Sequence, residues 1–174
     1  MAEPQESSTP ESHVSWQRSH FYPGRRMSND SAAPTFALGD NTEFDEEMKQ
    51  VARDIAAVTW ELKALNPVVV DLRGRVSYTD FVVVCSGTSE RHVNAIAKRV
   101  DEEMREAGRP PVSTEGTEDG RWALLDYGDI IVHVFNQTSR QDYDLERMWT
   151  EAPRLDLEDA PTELYGHFDA ERFD

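Results

Sequence analysis

The chain has one cysteine, Cys85, in 174 residues, so no disulfide can form within it. Lying inside an apolar run, Cys85 reads as a small packed hydrophobe, which fits a reducing cytoplasm. Basic residues are scarce as well: 18 Lys and Arg against 34 Asp and Glu give a formal net charge of -16. Such acidity argues against electrostatic docking on nucleic acid or an anionic membrane, because phosphate binding needs clustered cations. It favours a basic protein partner. No apolar run approaches the ~20 residues that span a bilayer. The N-terminus has no apolar signal region, and Glu3, Glu6 and Glu11 disfavour an organellar transit peptide. With hydrophobic residues at only 38%, part of the chain is not expected to pack.

What is present falls into three parts. Residues 1–40 are rich in Ser, Pro, Glu and Gln without helical or strand period, and read as a disordered tail. Plain disorder is preferred there over a docking element built from Trp16, Phe21 and Tyr22 with Arg18, Arg25 and Arg26. Residues 153–174 carry Asp156, Glu158, Asp159, Glu163, Asp169, Glu171 and Asp174, and read as an acidic, flexible, solubilising tail. Between them, 41–152 is regular. Met48, Val51, Ile55, Val58, Leu62 and Leu65 recur at three- and four-residue steps, predicting an amphipathic helix from about Glu43 to Leu65, capped by Asn41 or Thr42 and ended by Asn66-Pro67. Val68 to Leu72 and Phe81 to Ser86 read as strands covered on both faces. Gly87-Thr88-Ser89 opens a second helix that buries Val93, Ile96, Val100 and Met104 and stops at Gly108. Residues 109–121 read as a loop. The expected fold is a single α/β domain with a small mixed sheet flanked by helices.

The segment from Trp122 to Phe135 is the most informative. Two apolar runs flank Gly128-Asp129, and Gly at the first central position supplies the positive φ of a two-residue hairpin turn. That turn places Tyr127 opposite Ile130, Leu125 opposite Val132 and Ala123 opposite Val134, an apolar face expected to be core. The other face pairs Trp122 with Phe135, Leu124 with His133 and Asp126 with Ile131. This mixture suits a binding surface better than a core. A helix from Arg140 through Tyr143 and Glu146 to Trp149 follows. Trp122 is expected to be an outward interface anchor whose loss spares the fold.

No active site assembles from these residues. Ser86-Gly87-Thr88-Ser89 lacks the spacing of a phosphate loop, and Thr88 or Ser89 reads as a helix N-cap. Asp71, Asp80, Asp126 and Asp129 sit at strand ends or turns, where a metal-dependent nucleotidyltransferase or phosphohydrolase would place its acids. None forms the Asp-x-Asp pair that shares a magnesium ion. His133 has no second ligand or nucleophile at working spacing and reads as a hydrogen-bonded, half-buried histidine. The other histidines suggest nothing specific. No catalytic, cofactor or metal site is expected.

Several ordered blocks resemble the ribosomal silencing factor family, also called Iojap-related. They are Val69 to Gly74, Thr79 to Val93, Glu115-Gly116, the Trp122 to Phe135 hairpin, Arg140, and Tyr143 to Trp149. They span about residues 44–152, with both tails outside. The resemblance implies a nucleotidyltransferase-like fold without the catalytic acids, and a non-enzymatic repressor of translation. It implies binding to the large ribosomal subunit at its ribosomal protein number fourteen, beside an intersubunit bridge, which keeps the small subunit from joining when nutrients are short. The contact surface it implies falls on Trp122, Leu124, Asp126 and Tyr127, with Arg140, Tyr143 and Glu146 in support. A homodimer is compatible with the resemblance.

Overall fold

A computed structural model describes residues 42–157. The N-terminal segment, with the candidate docking element around Trp16 and the Asn41 cap, lies outside the described residues, as do residues 158–174. Helix α1 (Thr42–Glu61) buries Met48, Val51, Ala52, Ile55, Ala56 and Thr59, the stripe its 3.6-residue period dictates. It ends earlier than expected. Lys63 turns left-handed at φ 60, and the Ala64 amide reaches back to the Thr59 carbonyl at 3.0 Å, so the chain leaves the helix before Asn66-Pro67.

Strand β1 (Leu65–Asp71) therefore starts three residues early, and its register against β2 (Phe81–Gly87) slips between Leu65 and Val68. Asn66 sits at φ 45 in that bulge, and Pro67, which has no amide to donate, falls where no ladder bond is required. β2 is buried along its whole length, antiparallel to β1 and parallel to β5 (Ile130–Asn136). That is the environment its unbroken apolar run predicted. Helix α2 (Glu90–Glu106) is capped by Ser89, whose hydroxyl accepts from the His92 amide. Gly87 is required just before it, because a Cβ there would stand 2.8 Å from the Val93 nitrogen. His92 is not idle: its Nδ1 accepts from the Thr88 amide and its Nε2 reaches the Leu62 carbonyl at 2.6 Å, tying the start of α2 to the end of α1.

Residues 109–121 are not all loop. Ser113–Glu115 form β3, an exposed edge strand antiparallel to β4 (Trp122–Asp126). The sheet order is β1-β2-β5-β4-β3. α1 and α2 cover one face, and their apolar stripes meet Val69, Phe81, Val83, Cys85, Ala123, Leu125, Val132 and Val134 in the main core. Burial raises the Cys85 thiol to about 12, which makes it an inert packing residue.

The last helix is also broken. α3 (Gln137–Tyr143) stops where Asp144 turns left-handed at φ 43, and a 3-10 helix (Leu145–Trp149) follows. Leu145, Trp149 and Ala152 pack on Val70, Leu72, Val82, Val84 and Phe135, a second core cluster on the opposite face of the sheet. The domain does not end at residue 152. Arg154 bridges Val70, the Asp71 amide donates to the Pro153 carbonyl at 2.8 Å, and the Leu155 amide donates to the Val69 carbonyl at 2.9 Å. Leu155 and Leu157 join the main core. Residues 153–157 thus close the outer edge of β1 and belong to the packed domain rather than to a tail.

Candidate functional site

The hairpin has the expected register. Trp122 faces Phe135, Leu124 faces His133 and Asp126 faces Ile131, with the Tyr127 amide closing on the Ile130 carbonyl at 2.9 Å. Gly128 takes φ 85 in the turn, and its amide donates to Asp126 Oδ1 at 2.7 Å, the short acidic side chain bracing its own turn.

Alternation then sorts the hairpin between two faces. Ala123, Leu125, Val132 and Val134 are fully buried under the helices. The other face carries Trp122, Leu124 and Asp126, all half-buried, beside Ile131, and across the sheet Ser113 and Glu115 of β3 stand opposite Asp126 and Leu124. The 3-10 helix covers the β1-β2 half of this face. Over β5, β4 and β3, Trp122 and Tyr143 form an aromatic roof: Trp122 stacks on Phe135 at 4.9 Å between ring centroids, and Tyr143, 61% exposed, leans on Trp122 at 4.8 Å. Among the described residues Leu124 packs against neither core cluster, whereas Trp122 and Ile131 lean on the second. The open half of the face therefore presents an apolar centre of Trp122, Leu124, Ile131 and Tyr143 edged by Asp126 and Glu115.

His133 lies beneath this roof at 6% exposure, more enclosed than the half-buried residue expected. Its Nδ1 accepts a hydrogen bond from the Trp122 indole Nε1 at 3.0 Å. Burial is the main cause that lowers its pKa, to about 4, against a small opposing pull from Glu146. The ring is neutral at physiological pH.

Three expected contact residues sit elsewhere. Tyr127 belongs to the helix-covered face, where it packs against the main core with its hydroxyl buried and unpartnered. Arg140 is 6% exposed, its side chain turned into the fold. Its guanidinium donates to the Asn66 carbonyl at 2.9 Å, to Ser86 Oγ at 3.1 Å and to both oxygens of Glu146. It satisfies the carbonyl freed by the β1 bulge and clamps the 3-10 helix onto the sheet. Glu146 is the other jaw of that clamp. Trp122 is not expendable, since it roofs Phe135 and holds His133. Its truncation will cost stability, contrary to expectation. Met148 and Tyr78, exposed at 66% and 56%, carried no signal in the sequence beyond their type.

Of the acids that a phosphotransfer enzyme would use, Asp71 and Asp126 have structural partners, in Arg73 and the Gly128 amide. Asp71 is pushed up by burial, but its hydrogen bonds with Arg73 and that residue's charge outweigh this and lower its pKa. Asp80 is raised, first by burial and then by Asp129. Among the described residues no group of three or more His, Cys, Asp and Glu side chains is gathered as a metal ion would require. No described helix is long and apolar enough to cross a membrane.

Comparison with known proteins agrees with this arrangement. The family model described as ribosomal silencing factor during starvation matches residues 45–172, taking in the C-terminal segment that the motif blocks left outside. The chain is 38% identical over 114 residues to the ribosomal silencing factor of Halalkalibacterium halodurans, covering 66% of this chain and 95% of that protein. It is 34% identical over 110 residues to that of Bacillus subtilis, covering 63% and 93%. A crystal structure of a Chromobacterium violaceum protein superimposes with a TM-score of 0.56 at 33% identity, over 58% of this chain and 85% of that one. By fold, motif blocks and family match together, the chain belongs to the ribosomal silencing factor family.

Proposed function

We propose that this chain binds the large ribosomal subunit through the open half of the second sheet face and keeps the small subunit from joining, repressing translation when nutrients are short. The observation that carries this reading is Leu124. It is an apolar side chain on a strand of the sheet, packed into neither core, centred between an aromatic roof and acidic neighbours. Such a residue fits the centre of a protein interface. Membership of the family supports the ribosome as target. The acids Glu115, Asp126 and Asp129, on a chain of net charge -16, favour a basic ribosomal protein over phosphate. Ribosomal protein number fourteen, beside an intersubunit bridge, is the proposed contact, and the cytoplasm the proposed place of action. A homodimer is compatible with this but not needed.

The mechanism is competition for space. A factor that binds the free large subunit but not the joined ribosome biases the equilibrium by RT ln(1 + [L]/Kd), about 2.7 kcal/mol at a hundredfold excess over Kd. No bond is made or broken, and no cofactor enters. Sucrose-gradient sedimentation with purified subunits tests it: the protein should migrate with large subunits, and light scattering should show subunit joining suppressed as it is added. A protein that stays at the top of the gradient at low salt contradicts the proposal.

A further inference from the structure

Trp122 has one polar group, the indole N–H, and it is turned inward to the Nδ1 of His133 at 3.0 Å. For Nδ1 to accept, the neutral ring must carry its proton on Nε2. Stacking on Phe135, with rings 22° from parallel, fixes the plane of the indole but leaves open the half-turn about Cβ–Cγ that keeps this plane and reverses the direction of the N–H. The hydrogen bond removes that freedom, and His133 is itself locked, 6% exposed and 14° from parallel to Phe135.

We infer that His133, although out of reach of any partner, is the positioning residue for the docking face, and that Trp122 therefore offers its target apolar surface alone. The inference rests on the reading of this face as the ribosome-binding surface. A partner meets an indole whose rotamer is already chosen, so less freedom is lost on binding. A hydrogen-bond acceptor placed opposite Trp122 gains nothing, because the donor is occupied. The complementary patch on the basic partner must be aliphatic or aromatic at its centre, with Lys or Arg only at the edge, towards Asp126 and Glu115. The carboxylate of Glu146 is the charge that acts on His133, and it is held by Arg140.

A double-mutant cycle on large-subunit binding, paired with the indole N–H resonance of Trp122 in 15N-labelled full-length protein, tests this. His133→Leu should weaken binding about tenfold, the effect of losing one preorganising hydrogen bond, and shift the indole resonance. His133→Asn, whose amide oxygen can accept in place of Nδ1, should restore most of both. In a Trp122→Phe background, which has no donor, His133→Leu should change binding by less than about twofold. If His133→Leu fails to fold, His133→Gln, which misplaces the acceptor, replaces it. An equal loss in both backgrounds, or unchanged binding in the single variant, overturns the inference. A wild-type chain that does not bind large subunits contradicts the ribosomal reading instead, and the indole resonance then decides the positioning claim alone.

Discussion

Arg140 is a side chain whose loss will cost the domain much of its stability. It joins the bulged start of β1, the end of β2 and the 3-10 helix, and each acceptor it holds is partly or fully withdrawn from water. Arg140→Ala strands the Glu146 carboxylate, 16% exposed, with no counter-charge. A loss of roughly 3–5 kcal/mol in urea denaturation is expected, as for breaking one side of a buried pair. Glu146→Gln should cost less, since the amide still accepts. His133 makes a pH-dependent contribution. Its pKa falls from 6.5 to about 4 on folding, so the unfolded chain binds the proton more readily. The stability tied to the neutral ring is complete above pH 6.5 and is lost as pH falls from 6.5 towards 4, to a total of about 3 kcal/mol. Melts of wild type and His133→Leu across that range should show the wild type losing the extra amount; parallel curves would contradict the assignment. Residues of this kind are poorly legible in a sequence. Arg140 and Glu146 look like surface charges there, because residue type does not reveal that a bulge 74 residues away leaves a carbonyl needing a donor.

Elements were legible where their burial is periodic. The stripes of α1 and α2, the unbroken run of β2 and the hairpin register all follow from patterns that only one arrangement satisfies. β3 was not legible, because Ser113, Thr114 and Glu115 are exposed on both faces and an edge strand without a buried side has no alternation to read. The break at Asp144 escaped for the reason that its left-handed conformation is open to Asp at small cost. The closing segment at 153–157 did carry a signal, Leu155 and Leu157 alternating with Arg154 and Asp156, hidden by the acidic composition after it. Its energetic weight can be measured. A chain ending at Ala152 should be less stable than one ending at Leu157 by about 3 kcal/mol, from two backbone hydrogen bonds and two half-buried leucines. Equal melting temperatures would show that the β1 edge needs no cover.

For the whole molecule, shape and charge act together. Among the described residues the sheet has one face closed by α1 and α2 and one closed over only half its width, and the open half is where half-buried apolar surface and acidic edge coincide. An acidic domain approaching a basic ribosomal protein should bind more weakly as salt rises from about 50 to 300 mM, with the screening length shrinking accordingly. A flat response would leave apolar contact as the whole of the interaction. The family was legible in the motif blocks before any geometry. The division of the mixed hairpin face into a buried floor of His133 and Phe135 and an open centre at Leu124 was not, because alternation assigns side chains to a face without saying what lies above them.

Leu124→Asp is the sharpest probe of the central claim, since that side chain belongs to no core and a carboxylate there enters an already acidic surface facing a basic target. Large-subunit co-sedimentation of this variant, at a protein concentration where the wild type is saturated, should fall to background while its melting temperature stays within about 3 °C of wild type. Full co-sedimentation of a folded Leu124→Asp protein would contradict the account.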